Sequence, residues 1–275
     1  MIRKVRVRIN GGISIISAFS TGLGGAVSVD LPMEITMTKS GSNSSDQVIG
    51  KTISFIENRL NLSGSYSVNV ESGIPVSAGL KSSSALTLGI ILGMISINDL
   101  HLDDVQILKE AALASVANGT SLTGAFDDLC SCLFGGYCIT DNMKMEILAR
   151  GQIPEYPVLI AYPEGIRRTT SGISLENFSH YSACFDRIFR QAVDGNILEA
   201  MDLNGFAMGS ILGLDLMAVG SLLRMGAGHA SQSGKGPALY GIFENGIPEV
   251  VEMIPGYMHV QTRFSNRRAI VAEVS

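Results

Sequence analysis

Charge is scarce in this 275-residue chain. Asp, Glu, Lys and Arg together make up 16 % of it, a thin supply for a solvated surface. What charge there is leans acidic, 25 carboxylates against 20 cations, a formal −5 with a pI near 5.4. That balance excludes bulk binding to nucleic acid, which needs a basic surface, and leaves room for a local basic pocket around an anionic ligand. Long apolar runs are missing too. The most apolar, Leu86 to Ile97, is interrupted by Gly89, Gly93 and Ser96 and falls short of the roughly 20 residues that cross a bilayer. The first ten residues, MIRKVRVRIN, alternate basic and apolar side chains as a strand does and lack the continuous apolar core of a signal peptide. Cysteine is confined to positions 130, 132, 138 and 184, with no CxxC pair and no histidine cluster to complete a zinc site. Reduced thiols in a cytoplasmic protein are therefore expected. Heptads, repeats and low-complexity linkers are also absent. A compact globule is the plain reading; the sparse surface charge equally suits a buried subunit interface, as in a homodimer.

What is present is a mixture of strands and helices. Val5, Val7 and Ile9 alternate with Arg6, Arg8 and Asn10 in an opening strand. The glycine-rich stretch 11–37 follows, its second half (26–37) reading as strands broken near Pro32. Helical periodicity covers 46–61, 86–97 and 105–117, with Asp103 or Asp104 as N-cap of the last, and 65–72 alternates as a strand. A turn is expected at Asn118 and Gly119. A strand over 157–162 opens a second half. Helices are expected near 174–194, 196–211 and 214–225, then a glycine-rich loop running into a strand (226–243), a helix near 246–253 and a strand near 257–262. GQIPEYP (151–157) is the best seam, dividing the chain into 1–152 and 153–275. The elements do not alternate as in a doubly wound sheet, so the expected class is α+β.

Three segments could carry chemistry. The first is PVSAGLKSSSA (75–85). Gly79 permits a turn closed to other residues, and Ser82 to Ala85 open a helix whose free N–H groups and dipole form an anion site. Serine hydroxyls add donors to phosphate oxygens, one of them able to ligate magnesium, and Lys81 adds positive charge. A capped helix with small residues for close packing would explain the serines alone; with the lysine, phosphate is the better account. The loop is not a Walker A, whose lysine directly precedes Ser/Thr after four residues between glycines. The second is TGAFDDLCSCLFGG (123–136), where Asp127 and Asp128 follow a glycine turn and precede an apolar helix. Such carboxylates often only cap a helix. Two together repel in a dry site unless cations compensate, and one beside a phosphate loop could serve as base to a hydroxyl. The third, SQSGKGP (231–237), is a weak signal alone and fits as a second anion-contacting loop. His101, His180, His229 and His259 show no triad or metal spacing and are read as structural or surface residues. Arg263, Arg267 and Arg268, and the RRTTS turn with Arg167 and Arg168, are exposed basic positions by default and anion contacts by hypothesis.

In this order the three segments resemble the motifs of the GHMP small-molecule kinases, whose second motif runs PxxxGLGSSAA. Lysine followed by three serines, with TGAFDD (123–128), FSTGLGGAVSVDL (19–31) and SGKGPA (233–238), resembles the archaeal shikimate kinases in particular, and the likeness covers essentially the whole chain. The resemblance implies two α+β domains with the active site between them, and transfer of phosphate from ATP to shikimate. It implies that Gly79, Leu80, Lys81, Ser82, Ser83, Ser84 and Ala85 cradle the ATP phosphates, with Ser83 the Mg²⁺ contact. Asp127 falls at the family's catalytic aspartate, with Lys81 as catalytic cation. Asp128 falls where related kinases carry asparagine. Thr21, Asp128, Ser233 and Gly234 come to the substrate side. An arginine such as Arg167, Arg168 or Arg267 would clamp the acceptor carboxylate. No nucleic acid or membrane partner is implied.

Three departures from the family pattern stand out. Leu23 occupies the place of a first-motif lysine; if that lysine pairs with the aspartate, Lys81 or Lys235 must supply its charge, or activity is reduced. Lys235 replaces a third-motif threonine. Where many members carry a magnesium-binding glutamate the chain has Ser115, Val116 and Ala117, with Glu110 the nearest glutamate. The alternatives are a kinase of another small alcohol such as homoserine, and a non-catalytic nucleotide-binding paralogue.

Overall fold

The structure, a computed structural model, describes residues 4–39, 46–166, 173–249 and 254–273. The N-terminal half holds β1 (Lys4–Ile16), β2 (Leu23–Lys39), α1 (Gln47–Leu60), β3 (Tyr66–Ser72), α2 (Ser82–Ile97), α3 (Asp104–Ala117), α4 (Phe126–Phe134), β4 (Tyr137–Asp141) and β5 (Glu146–Gly151). After β6 (Pro157–Pro163) come α5 (Glu176–Ser179), α6 (Ser182–Val193), α7 (Ile197–Leu212), α8 (Leu216–Arg224), β7 (His229–Gln232), β8 (Leu239–Ile242), β9 (Tyr257–Arg263) and β10 (Ile270–Glu273). One sheet runs β10-β1-β2-β4-β5 with β3 also on β2; the other runs β7-β8-β6-β9. Every strand pairing among the described residues is antiparallel, as an α+β chain requires and a doubly wound sheet forbids.

In β1 the alternation works as read: Val5, Val7 and Ile9 are buried and Arg6 and Arg8 exposed. Helix α2 lies across β1 and β2 and is apolar on nearly every side. Its glycines are the reason it lies so close. A Cβ on Gly89 would stand 2.4 Å from Ile35 Cδ1, and one on Gly93 2.4 Å from Met37 Sδ. Asp103 caps α3 in a reciprocal box with Gln106. In the second half α8 packs on β7 and β8, while α6 and α7 turn back onto β1.

Several expectations change. Pro32 does not break β2; it sits opposite Asn10 beside a register irregularity between Asn10 and Gly12, where a missing N–H is tolerated. The stretch 174–194 is two helices, α5 and α6. Part of the glycine-rich 226–243 segment is itself strand β7, and β4, β5 and β10 were not foreseen. Residues 246–249 are not helical, and the remainder of the helix expected there, 250–253, lies outside the described residues.

Candidate active site

The three chemical segments meet in one cleft of about 550 Å³. Its first wall is the start of α2. Gly79 (φ +87°) and Lys81 (φ +67°) are both left-handed, which turns the chain sharply into the helix. No side chain caps α2, and Ser82, Ser83 and Ser84 of its first turn all line the cleft, where a helix start favours an anion. Ser83 is exposed there, Ser84 is buried, and Leu80 and Ala85 anchor the loop in the core.

The third glycine segment braces this loop from behind. Ser233 Oγ donates to Gly79 O at 2.8 Å, and Ala238 N donates to Ala78 O at 3.0 Å. The fit is tight: a Cβ on Gly79 would stand 2.6 Å from Ser233 O. Gly234 and Lys235 reach the cleft, whereas Ser233 is fully buried and acts through the loop. Burial, then the nearby Lys81 charge, press the Lys235 amine below its ordinary pKa, with Asp128 opposing them.

The floor is the start of α4. Lys81 Nζ lies 2.7 Å from Asp128 Oδ1 and also donates to Ser14 Oγ of β1. Burial would lower its pKa, but the charges of Asp128 and then Asp127 outweigh that and hold the amine protonated. Lys81 thus brings a positive charge to the paired aspartates, through an ion pair with Asp128 rather than with Asp127.

Asp127 is almost completely buried. Desolvation first, and the Asp128 charge second, raise its pKa from 3.8 to about 7, against the opposing pull of Lys81 and of a hydrogen bond from Asn142. Asn142 Nδ2 donates to Asp127 Oδ1 at 2.8 Å. Gly24 makes room for the carboxylate: a Cβ there would stand 2.7 Å from Asp127 Cγ and Oδ2.

Other expected residues lie elsewhere. Thr21 accepts from the Leu23 amide within its own turn and does not line the cleft. Arg267 is not brought to the site: its guanidinium is well exposed and 4.0 Å from Asp30. Arg263 also faces Asp30, and Arg268 forms a two-pronged pair with Asp104. Arg167 and Arg168 lie outside the described residues. Glu110 cannot serve the cleft, because both of its carboxylate oxygens are bound by Arg59. Among the described residues no three His, Cys, Asp or Glu side chains gather as a metal cage.

Sequence reasoning missed Ser14, Ser17, Gly24 and Asn142. Asn142 follows a strand and reads as an ordinary turn former. Gly24 was quoted within a motif, with no sign that a carboxylate would press against it. The apolar part of the cleft lining, Met33, Val48, Val70, Val76 and Leu86, comes from five separate elements or loops and has no local signature.

Comparison with known proteins adds names to this geometry. Residues 47–136 match the family model described as the GHMP kinases N terminal domain. The shikimate kinase of Thermoplasma acidophilum is 43 % identical over 242 residues, 88 % of this chain and 88 % of that protein. The shikimate kinase of Pyrococcus abyssi is 34 % identical over 86 % of this chain and 90 % of its own. A crystal structure of mevalonate kinase superposes with a TM-score of 0.71 over 95 % of this chain and 99 % of that one, at 15 % identity, a likeness of fold alone.

Proposed function

The chain belongs to the archaeal-type shikimate kinases of the GHMP kinase superfamily, and on that premise we propose that it moves the γ-phosphoryl group of ATP to the 3-hydroxyl of shikimate. One observation carries the chemistry: a buried carboxylate, Asp127, beside a protonated Lys81, at the foot of an uncapped helix start.

The nucleotide base fits the apolar end of the cleft, among Met33, Val48, Val70 and Val76. Its phosphates then run toward the amides of Ser82–Ser84 and the Lys81 ammonium, where the helix dipole and the fixed donors favour negative charge. The acceptor lies over Asp127, near Ser14, Ser17 and Phe19. In the transfer the bond from γ-phosphorus to the β,γ-bridging oxygen breaks and a bond to the acceptor oxygen forms. The hydroxyl proton passes to Asp127; with Oδ1 engaged by Asn142, Oδ2 takes it. Lys81 offsets charge on the transferring group.

Magnesium fits this site as an ion that arrives with the nucleotide. Among the described residues the site offers the exposed Ser83 hydroxyl and no cage of carboxylates, and Mg²⁺ commonly keeps waters and phosphate oxygens as its main ligands. When bound it would neutralise the phosphate oxygens. A cytoplasmic setting is consistent with four free cysteines.

A coupled assay of ADP release tests the reading, with shikimate and homoserine as acceptors, each with and without magnesium. Turnover is expected with shikimate and magnesium only. Turnover with homoserine and none with shikimate would overturn the choice of acceptor.

A further inference from the structure

We propose that Asn142 is a positioning residue for the transfer, holding the Asp127 carboxylate in one orientation and presenting its Oδ2 to the acceptor; the proposal rests on Asp127 being the base. Helix α4 begins at Ala125 in a left-handed conformation (φ +50°) and, like α2, has no side-chain cap of its own. Asn142, from the turn after β4, supplies a cap across the fold. Its Oδ1 accepts from the Asp127 amide at 3.2 Å, while its Nδ2 donates to the Asp127 carboxylate at 2.8 Å. One side chain thus grips both the backbone and the carboxylate of the same residue.

The amide orientation is dictated rather than free. A backbone N–H can only donate, so the oxygen of Asn142 must face it. Thr140 Oγ1 also donates to that oxygen, at 2.7 Å. The NH₂ group is therefore left facing Asp127 Oδ1. Thr140 and Asn142 are both buried, so water cannot replace these bonds cheaply. The Asn142 backbone reaches further: its N–H donates to Gly22 O at 2.8 Å, in the first glycine segment. Gly24 of that segment packs closely against the same carboxylate. Asn142 thereby ties together the first and second motifs.

The charged and titratable groups facing Asp127 are Asp128 and Cys130 on α4 and Lys81 before α2, with Lys235 beyond Asp128. From β2 the facing residue is Gly24, and from β4 and its turn the neutral Thr140 and Asn142. Asn142 thus influences Asp127 by hydrogen bonding alone, and a donor to the carboxylate favours its ionised form.

The experiment is a ¹³C NMR titration of the aspartate carboxyl carbons in wild type and Asn142→Ala, with the Asp127 signal identified by its loss in Asp127→Asn. The Asp127 midpoint is expected to be about one pH unit higher in Asn142→Ala. The acid limb of kcat should move up with it, and kcat at pH 7 should fall about tenfold, while KM for ATP stays within about twofold. Equal midpoints in the two proteins overturn the proposal. Should Asn142→Ala fail to fold, Thr140→Val removes the hydroxyl that fixes the amide while nearly keeping its shape; a smaller upward shift is expected, and an unchanged midpoint is again decisive against it. The titration needs no acceptor. A wild type inactive toward every alcohol would therefore count against the functional reading while leaving the Asn142 result intact.

Discussion

Asp127 binds its proton far more tightly than an exposed aspartate does, and the cause is the same burial that makes it useful. Desolvation and the neighbouring Asp128 charge raise its pKa to about 7. As the proposed base it must be ionised, so turnover should climb with pH through about 7. The consequence for stability has the opposite sign. Its folded pKa lies above the ordinary 3.8, so the folded chain holds the proton more tightly than the unfolded one. That advantage is full below about pH 4 and is lost as pH rises through about 7, above which the ionised group strains the fold. Asp127→Asn should therefore abolish turnover, leave ATP affinity within a few-fold by calorimetry, and raise Tm at pH 8 by a few degrees, at about 2–4 °C per kcal/mol recovered. A lower Tm at pH 8 would count against this account of the site. Lys81 shows what sequence could and could not supply at this scale. Its place in the motif was legible, but that its ammonium would pair with Asp128 at 2.7 Å required the fold.

At the scale of elements, local pattern served well where one cause acted. The alternation of β1 and the capping box of α3 are written in adjacent residues. Asn118 shows the other case. It was read as part of a turn and it does end α3, but its buried amide also donates to Thr52 of α1 and Thr87 of α2, joining three helices. The loop before α2 likewise depends on a segment 154 residues further along the chain, because Ser233 donates to Gly79 O and Gly79 packs against that segment's backbone. Gly79→Ala combines a positive φ with a clash against Ser233 O, a backbone atom that cannot swing aside. It should lower Tm and raise KM for ATP at least tenfold, more than it lowers kcat. Normal ATP kinetics in this variant would show that the loop is not the phosphate cradle.

Across the whole molecule, the main core spans both sheets, and a second, smaller cluster with Leu159, Leu222 and Phe243 lies between the second sheet and α8. Val7 and Ile13 of β1 belong to one buried cluster with Phe185 of α6, Met201 of α7 and Tyr240 of β8. The Ser17 amide donates to the fully buried Asn204 of α7, and β10 returns to pair with β1. We propose the division 1–152 and 153–275 as a description of two lobes, not of two units that fold independently. A fragment of residues 1–152 would expose the apolar surface that α6 and α7 cover, and it should show no cooperative thermal transition by circular dichroism. A cooperative melt of that fragment at the temperature of the full chain would restore the picture of independent domains.

The sequence by itself determined the class of fold, the strand pattern of the opening, the three glycine-bearing segments and the aspartate that ends up at their centre. Each of these rests on residues near one another in the chain: a period of two, a glycine beside a helix start, a carboxylate in a first turn. Only the tertiary structure decided which cation faces which carboxylate, that Arg267 stands away from the cleft, and that Asn142 holds Asp127. Those are relations between segments far apart in sequence. Their energies come from burial and hydrogen bonds that exist only once the segments meet, so no local pattern records them.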